Sequence, residues 1–275
     1  MKFAICNETF VDWPFEKAFA TARECGYTGI EIAPFTIAAD AKDISAQARQ
    51  QIRRQAAEAD LEVVGLHWLL AKTEGYYLTS PDAEVRQRTA EYIGELARLC
   101  RDLGGKLLVF GSPQQRNLLP GTSLAEATNY AAEVIGRSVE TLQETGVTLA
   151  VEPLGPAEGD FLNTAAEGVA LVEQIGSPMV RLHLDVKAMS TEAIPVADVI
   201  RANAAHLVHF HANDPNKLGP GMGEVDFVPI FAALKEIDYQ GWVSVEVFDY
   251  DLGAEHIAKE SMANMLTCLE KIGAW

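Results

Sequence analysis

Short apolar, β-branched runs alternate along this chain with longer segments of helical period. The runs are KFAICN at 2–7, GIEIAPF at 29–35, EVVGLHWL at 62–69 and KLLVFGS at 106–112, then VTLAVEPL at 147–154, VRLHLDVK at 180–187, LVHFHAN at 207–213 and WVSVEVF at 242–248. Each is short and carries few charges, as strands covered on both faces do. Helical patterns fill the intervals. In 82–104 the apolar positions Val85, Tyr92, Ile93, Leu96, Leu99 and Leu103 follow a period near 3.6. Asp82, after Pro81, stands where an N-cap belongs, and Gly104 and Gly105 stand at the end. The segment 123–145 has the same design, with Ser123 and Glu126 spaced as a capping box. Gly26, Gly146, Gly176 and Gly241 are each expected to close a helix just before a strand. Eight β-then-α units imply parallel strands joined by right-handed crossovers. They predict a single α/β domain over residues 1–275, a closed (β/α)8 barrel, with a doubly wound open sheet as the alternative.

Composition narrows the function classes. Hydrophobic residues make up 48% of the 275, enough for a large core, which excludes a disordered chain. The formal net charge is −17, from 22 basic and 39 acidic residues. That balance argues against a nucleic-acid partner and against an anionic membrane surface. The four cysteines, at 6, 25, 100 and 268, form no C-x-x-C pair. The chain shows no signal-like start and no 18-residue apolar run. The expectation is a reduced, soluble, cytoplasmic protein.

In such a barrel the chemistry sits at the C-terminal ends of the strands. Several ionisable residues fall there within apolar runs: Glu31, His67, Glu152, His183 and Asp185, His209 and His211, and Glu246. A buried carboxylate needs a cation or a proton. Glu152, Asp185, His211 and Glu246 stand at equivalent places on four consecutive strands and are expected to converge. Three carboxylates and one imidazole suit a hard divalent ion, Mn2+ first, with Mg2+, Co2+ or Zn2+ as alternatives. Glu31 reads either as part of this site or as a structural ion pair. His183 and His209 read as packing or supporting histidines of the lumen, and His67 as a candidate substrate contact. Trp13, Trp68 and Tyr77 are candidate linings of the pocket. The glycine-rich LGPGMGE at 218–224 matches neither a dinucleotide fingerprint nor a P-loop.

At these four strand ends the sequence resembles the xylose-isomerase-like barrel superfamily, along essentially the whole chain. The most specific stretch is EPL at 152–154, then Glu158 and FLNT at 161–164, which is similar to ketose 3-epimerases of the tagatose and psicose type. PGMGEVDF at 220–227 and YQGWVSVE at 239–246 match the last βα unit of that superfamily. The resemblance implies Glu152, Asp185, His211 and Glu246 as metal ligands and Glu158 as a substrate contact. Two positions depart from the pattern. Ala188 stands where those enzymes have a substrate-touching histidine, with Lys187 beside it. Lys217 replaces an arginine and loses its bidentate geometry.

The activity implied is metal-dependent isomerisation or 3-epimerisation of a sugar, with a proton removed beside a carbonyl through an enediolate. Glu152 and Glu246 would be both ligands and the acid/base pair. Glu158, His67, Lys187, Lys217 and His183 are the substrate-binding candidates. Lys187 and Lys217 are the cations expected near these strand ends, which points to unphosphorylated substrates. The competing readings are β-elimination of 3-keto-glycosides, an endonuclease IV-like nuclease, and a non-catalytic sugar-binding barrel. Relatives form dimers or tetramers, which leaves a homo-oligomer open.

Overall fold

Eight parallel strands close on themselves in chain order, β1 pairing with both β2 and β8. They are β1 (Lys2–Cys6), β2 (Gly29–Ile32), β3 (Glu62–Leu66), β4 (Leu107–Phe110), β5 (Thr148–Val151), β6 (Val180–Asp185), β7 (Leu207–Ala212) and β8 (Trp242–Val245). The computed structural model describes residues 1–274. The open-sheet alternative is excluded by this closure. Each strand lies inside one of the apolar runs but is shorter than it. In consequence Glu152 and Glu246 stand one residue beyond β5 and β8, whereas Asp185 and His211 lie within β6 and β7.

The helices are α1 (Phe15–Glu24), α2 (Ala46–Glu58), α3 (Ala83–Leu103), α4 (Leu124–Thr145), α5 (Ala165–Ile175), α6 (Val186–Met189), α7 (Val196–Ala202), α8 (Phe227–Glu236) and α9 (Ala254–Lys271). Their ends follow the local chemistry. Asp82 accepts the amides of Glu84 and Val85 at the start of α3. Ser123 and Glu126 complete the capping box of α4. Gly104 and Gly146 take the left-handed conformation that stops α3 and α4. Gly241 does not behave as expected. Helix α8 ends at Glu236, five residues earlier, and the space beside Gly241 is filled by the ring of Tyr239. That tyrosine donates to the carbonyl of Trp242 at 2.8 Å.

Alternation of the strands divides the interior in two. One face of each strand packs outward on the helices, in a continuous cluster that includes Ile5, Ile30, Ile32, Leu108, Leu149 and Phe210. The other face lines the lumen. There a small apolar layer of Ala4, Val64, Leu107, Val109 and Ala150 gives way, towards the C-terminal mouth, to Cys6, Glu31, His183, His209, His211 and Ser244, all buried. Gly65 faces Leu107 on β4, and a Cβ there would collide with the Leu107 carbonyl. Gly65→Ala should therefore cost about 1–3 kcal/mol of unfolding free energy, read from urea denaturation with an unchanged slope.

Candidate active site

Residues two apart on a strand face the same way. His183 and Asp185 on β6, and His209 and His211 on β7, therefore share the lumen. The register places Asp185 opposite His211 and His183 opposite His209. With Glu152 from the end of β5, three of these residues, His183, Asp185 and His211, bring ligand atoms within 4.8 Å of one another, and all four are buried. Glu246 joins through His211, whose Nδ1 lies 3.0 Å from Glu246 Oε2. The other oxygen of Glu246 accepts the indole N–H of Trp68 at 2.7 Å. Asp185 is fixed at both oxygens: Oδ1 accepts the amide of Ala188 at 2.8 Å and Oδ2 accepts the side-chain amide of Asn213 at 2.5 Å.

Glu31 lies beneath this layer with no exposure to solvent. Its Oε2 is 2.8 Å from His209 Nε2 and its Oε1 is 3.2 Å from His211 Nε2. Burial works to raise its pKa, but the two imidazoles hold it well below the usual carboxylate value. Glu31 thus engages one nitrogen of His211 and leaves Nδ1 facing Glu246. A carboxylate on the far nitrogen is a common way to orient a metal-ligating imidazole.

The acids above Glu31 are short of positive charge. Burial, then the neighbouring Glu246, pushes Glu152 well above the usual range, and the same two causes push Asp185 up to about 6. Both ring nitrogens of His183 are buried with no hydrogen-bond partner, although Nε2 lies 3.5 Å from Glu152 Oε1. Burial, then His211 and His209, holds that ring neutral. Against its burial, Glu246 and Glu31 raise His211 well above the usual imidazole value, so a proton there offsets part of the charge of the crowded carboxylates. A divalent cation fits the same place, where it would displace that proton and neutralise the acids.

The layer opens into a pocket lined by Trp68, Gly111, Pro113, Glu152, Leu154, Glu158, Glu246 and Phe248. A Cβ at Gly111 would fall on the Glu152 carboxylate.

A family model described as xylose isomerase-like TIM barrel matches residues 19–268. The chain belongs to this family. It is 30% identical over 184 residues to the L-ribulose 3-epimerase of Mesorhizobium japonicum, a match over 67% of this chain and 62% of that protein, less than two thirds of the relative's own length. It is 29% identical over 237 residues to a probable ketose 3-epimerase of Synechocystis, covering 86% of this chain and 79% of that one. A crystal structure of D-psicose 3-epimerase in the presence of D-fructose superposes with a TM-score of 0.84 at 22% identity, covering 100% of both chains.

Within this xylose isomerase-like barrel the remaining candidates divide. Glu158 lines the pocket, and Lys187 is 2.6 Å from it, with its ammonium 4.8 Å from the centre of the Phe248 ring. Trp68 lines the pocket too. His67 does not: it is buried, 2.7 Å from Glu8, and its Nδ1 is 3.8 Å from Glu31. The side chain of Lys217 is exposed and absent from the pocket lining, while its backbone carbonyl accepts the amides of Phe248 and Asp249. Tyr77 donates to the carbonyl of Asn117, and Trp13 packs on Phe10.

Three residues escaped sequence reasoning. Asn213 and Glu8 belong to apolar or loop contexts where no period marks them. Arg116 corrects the expectation that the cations near the strand ends are Lys187 and Lys217. Its guanidinium is buried, donating to the carbonyls of Glu152 at 2.5 Å and Leu162 at 3.1 Å. Burial brings it down to about 10 despite the nearby Glu152 and Glu158. The only available signal was its place six residues beyond β4, on the side of the barrel where sites form. Arg116→Met would leave both carbonyls without these donors. We expect a loss of about 1.5–3 kcal/mol, measured by chemical denaturation.

Proposed function

We propose that this protein is a divalent-metal-dependent epimerase of free ketoses or closely related keto-sugars. Glu152, Asp185, His211 and Glu246 would hold the ion, with Mn2+ the first choice for a set rich in carboxylates. The observation that carries the reading is that Glu152, Asp185 and His211 bring ligand atoms within 4.8 Å of one another, that Glu246 lies 3.0 Å from His211, and that Glu152 and Glu246 line one pocket. The ketose 3-epimerase relatives support it.

When bound, the cation would supply Lewis-acid polarisation of the sugar carbonyl and so make the neighbouring C–H acidic. Glu152 and Glu246 both line the pocket, one from β5 and one from β8. One carboxylate removes the proton from one face of the sugar carbon. The other returns a proton to the opposite face, and the configuration inverts. The two carboxyls end with their protonation exchanged, and solvent resets them. Glu158 and Lys187 offer an acceptor and a donor to sugar hydroxyls. Trp68, Leu154 and Phe248 supply apolar walls. Ala188 is buried and makes no polar contact through its side chain, so Lys187 is the cationic group beside that wall.

The deciding experiment strips the protein with chelator, restores Mn2+, Mg2+, Co2+ or Zn2+, and incubates it with ketoses in D2O. Metal-dependent deuterium uptake beside the carbonyl, with an epimer appearing by NMR, is the expected result. Release of an aglycone from a 3-keto-glucoside would assign elimination instead. Failure to bind any divalent ion would overturn the site. Glu246→Gln should lower kcat by at least about a hundredfold while retaining part of the metal affinity. No cation is among the pocket-lining residues, Lys187 being engaged by Glu158 and Arg116 lying beneath Glu152. Free ketoses should therefore exceed their phosphates in kcat/KM by roughly tenfold or more, since an unpaired phosphate in this acidic pocket is repelled.

A further inference from the structure

Trp68 holds a backbone conformation that a bulky side chain rarely takes. Its φ is 53°, in the left-handed region favoured by glycine and asparagine. Such an outlier persists where surrounding contacts over-determine it, and it often marks a functional constraint. The contacts here are specific. The ring packs edge-on to Phe35 at 6.2 Å between centroids and lies 6.1 Å from Phe248. The indole N–H donates to Glu246 Oε1 at 2.7 Å. Directly before it in the chain, His67 is locked to Glu8, so the turn is anchored on its inner side as well.

We propose that Trp68 is a positioning residue for Glu246, and that its unusual turn exists to aim the indole N–H at one carboxylate oxygen. Glu246 follows the last residue of β8, so no strand pairing of its own holds it. Two groups grip its carboxylate instead: His211 at Oε2 and Trp68 at Oε1. With Oε1 occupied, Oε2 is the oxygen presented beside His211 Nδ1. The indole thus divides the carboxylate between two tasks and stops it rotating. This inference rests on the reading of Glu246 as a ligand and proton carrier.

Trp68→Phe keeps an aromatic wall and removes the N–H. A hydrogen bond to a charged group of this kind predicts a fall in kcat of roughly ten- to a hundredfold, with KM changed by less than about threefold. Trp68→His, which restores a ring N–H, should recover part of that loss. The bond itself is read in the metal-free protein, without turnover. The 15N-labelled indole N–H resonance of Trp68, assigned by its absence from Trp68→Phe, should shift when Glu246 is changed to Ala. Added Mn2+ should broaden this resonance more than that of Trp242, which lies at the opposite end of β8. An indole resonance that ignores Glu246→Ala overturns the proposal. So does a Trp68→Phe variant with wild-type kcat in an enzyme that binds Mn2+ and exchanges substrate protons; the functional reading then stands alone. A wild type that neither binds Mn2+ nor exchanges protons overturns the functional reading and this inference with it.

Discussion

Glu31 is a carboxylate with no access to water in the middle of the barrel, and much of the site depends on how its charge is met. A buried unpaired carboxylate is heavily destabilising. Here two imidazoles from one strand compensate it, His209 at 2.8 Å and His211 at 3.2 Å, with His67 further off at 3.8 Å. Those contacts fix ring orientation. Once His211 turns one nitrogen towards Glu31, the other can face only the mouth, where Glu246 and Asp185 stand. An interaction that looks like the repair of a buried charge is therefore also what aims the imidazole at the chemistry.

The same logic explains how the lumen is layered. Its lower part is closed by small aliphatic side chains, and stability comes mainly from the outer cluster where strands meet helices. The upper part carries acids too close together to be comfortable, which is why burial and mutual repulsion raise Glu152 and Asp185. A fold can tolerate such a layer because the surrounding strands are bonded on both edges all the way round. The energetic strain is local and the scaffold is not.

The barrel was legible because its strands are covered on both faces and so read as apolar runs, each followed by a segment with a helical period. Glu152, Asp185, His211 and Glu246 were legible for a related reason: an ionisable residue stands out against an apolar run. Glu8 and Arg116 were not, because they sit in short connections that have no period. Their contacts span 59 and 36 residues of chain, so only the closed barrel brings them in. His67 shows the limit from the other side. Its position at a strand end was read correctly, but alternation cannot say whether a side chain at the rim turns to the pocket or to Glu8. Lys217 was singled out for its charge, whereas the structure uses its carbonyl to hold Phe248.

Asp185 and His211 belong to neighbouring strands in fixed register, while Glu152 and Glu246 each stand just past the end of a strand. The mouth therefore has a stiff half and a compliant half. On the proposed function, the stiff half would anchor the ion, and the compliant half, steadied by loops from elsewhere in the chain, would set how its two carboxylates approach the ion and the sugar. If that site holds, divergence of such barrels could proceed by rewriting the loops around the compliant half, changing which carbon is addressed, while the register of Asp185 and His211 stays fixed. In engineering terms, loop sequence would then be the lever for selectivity, and strand register the part to leave alone.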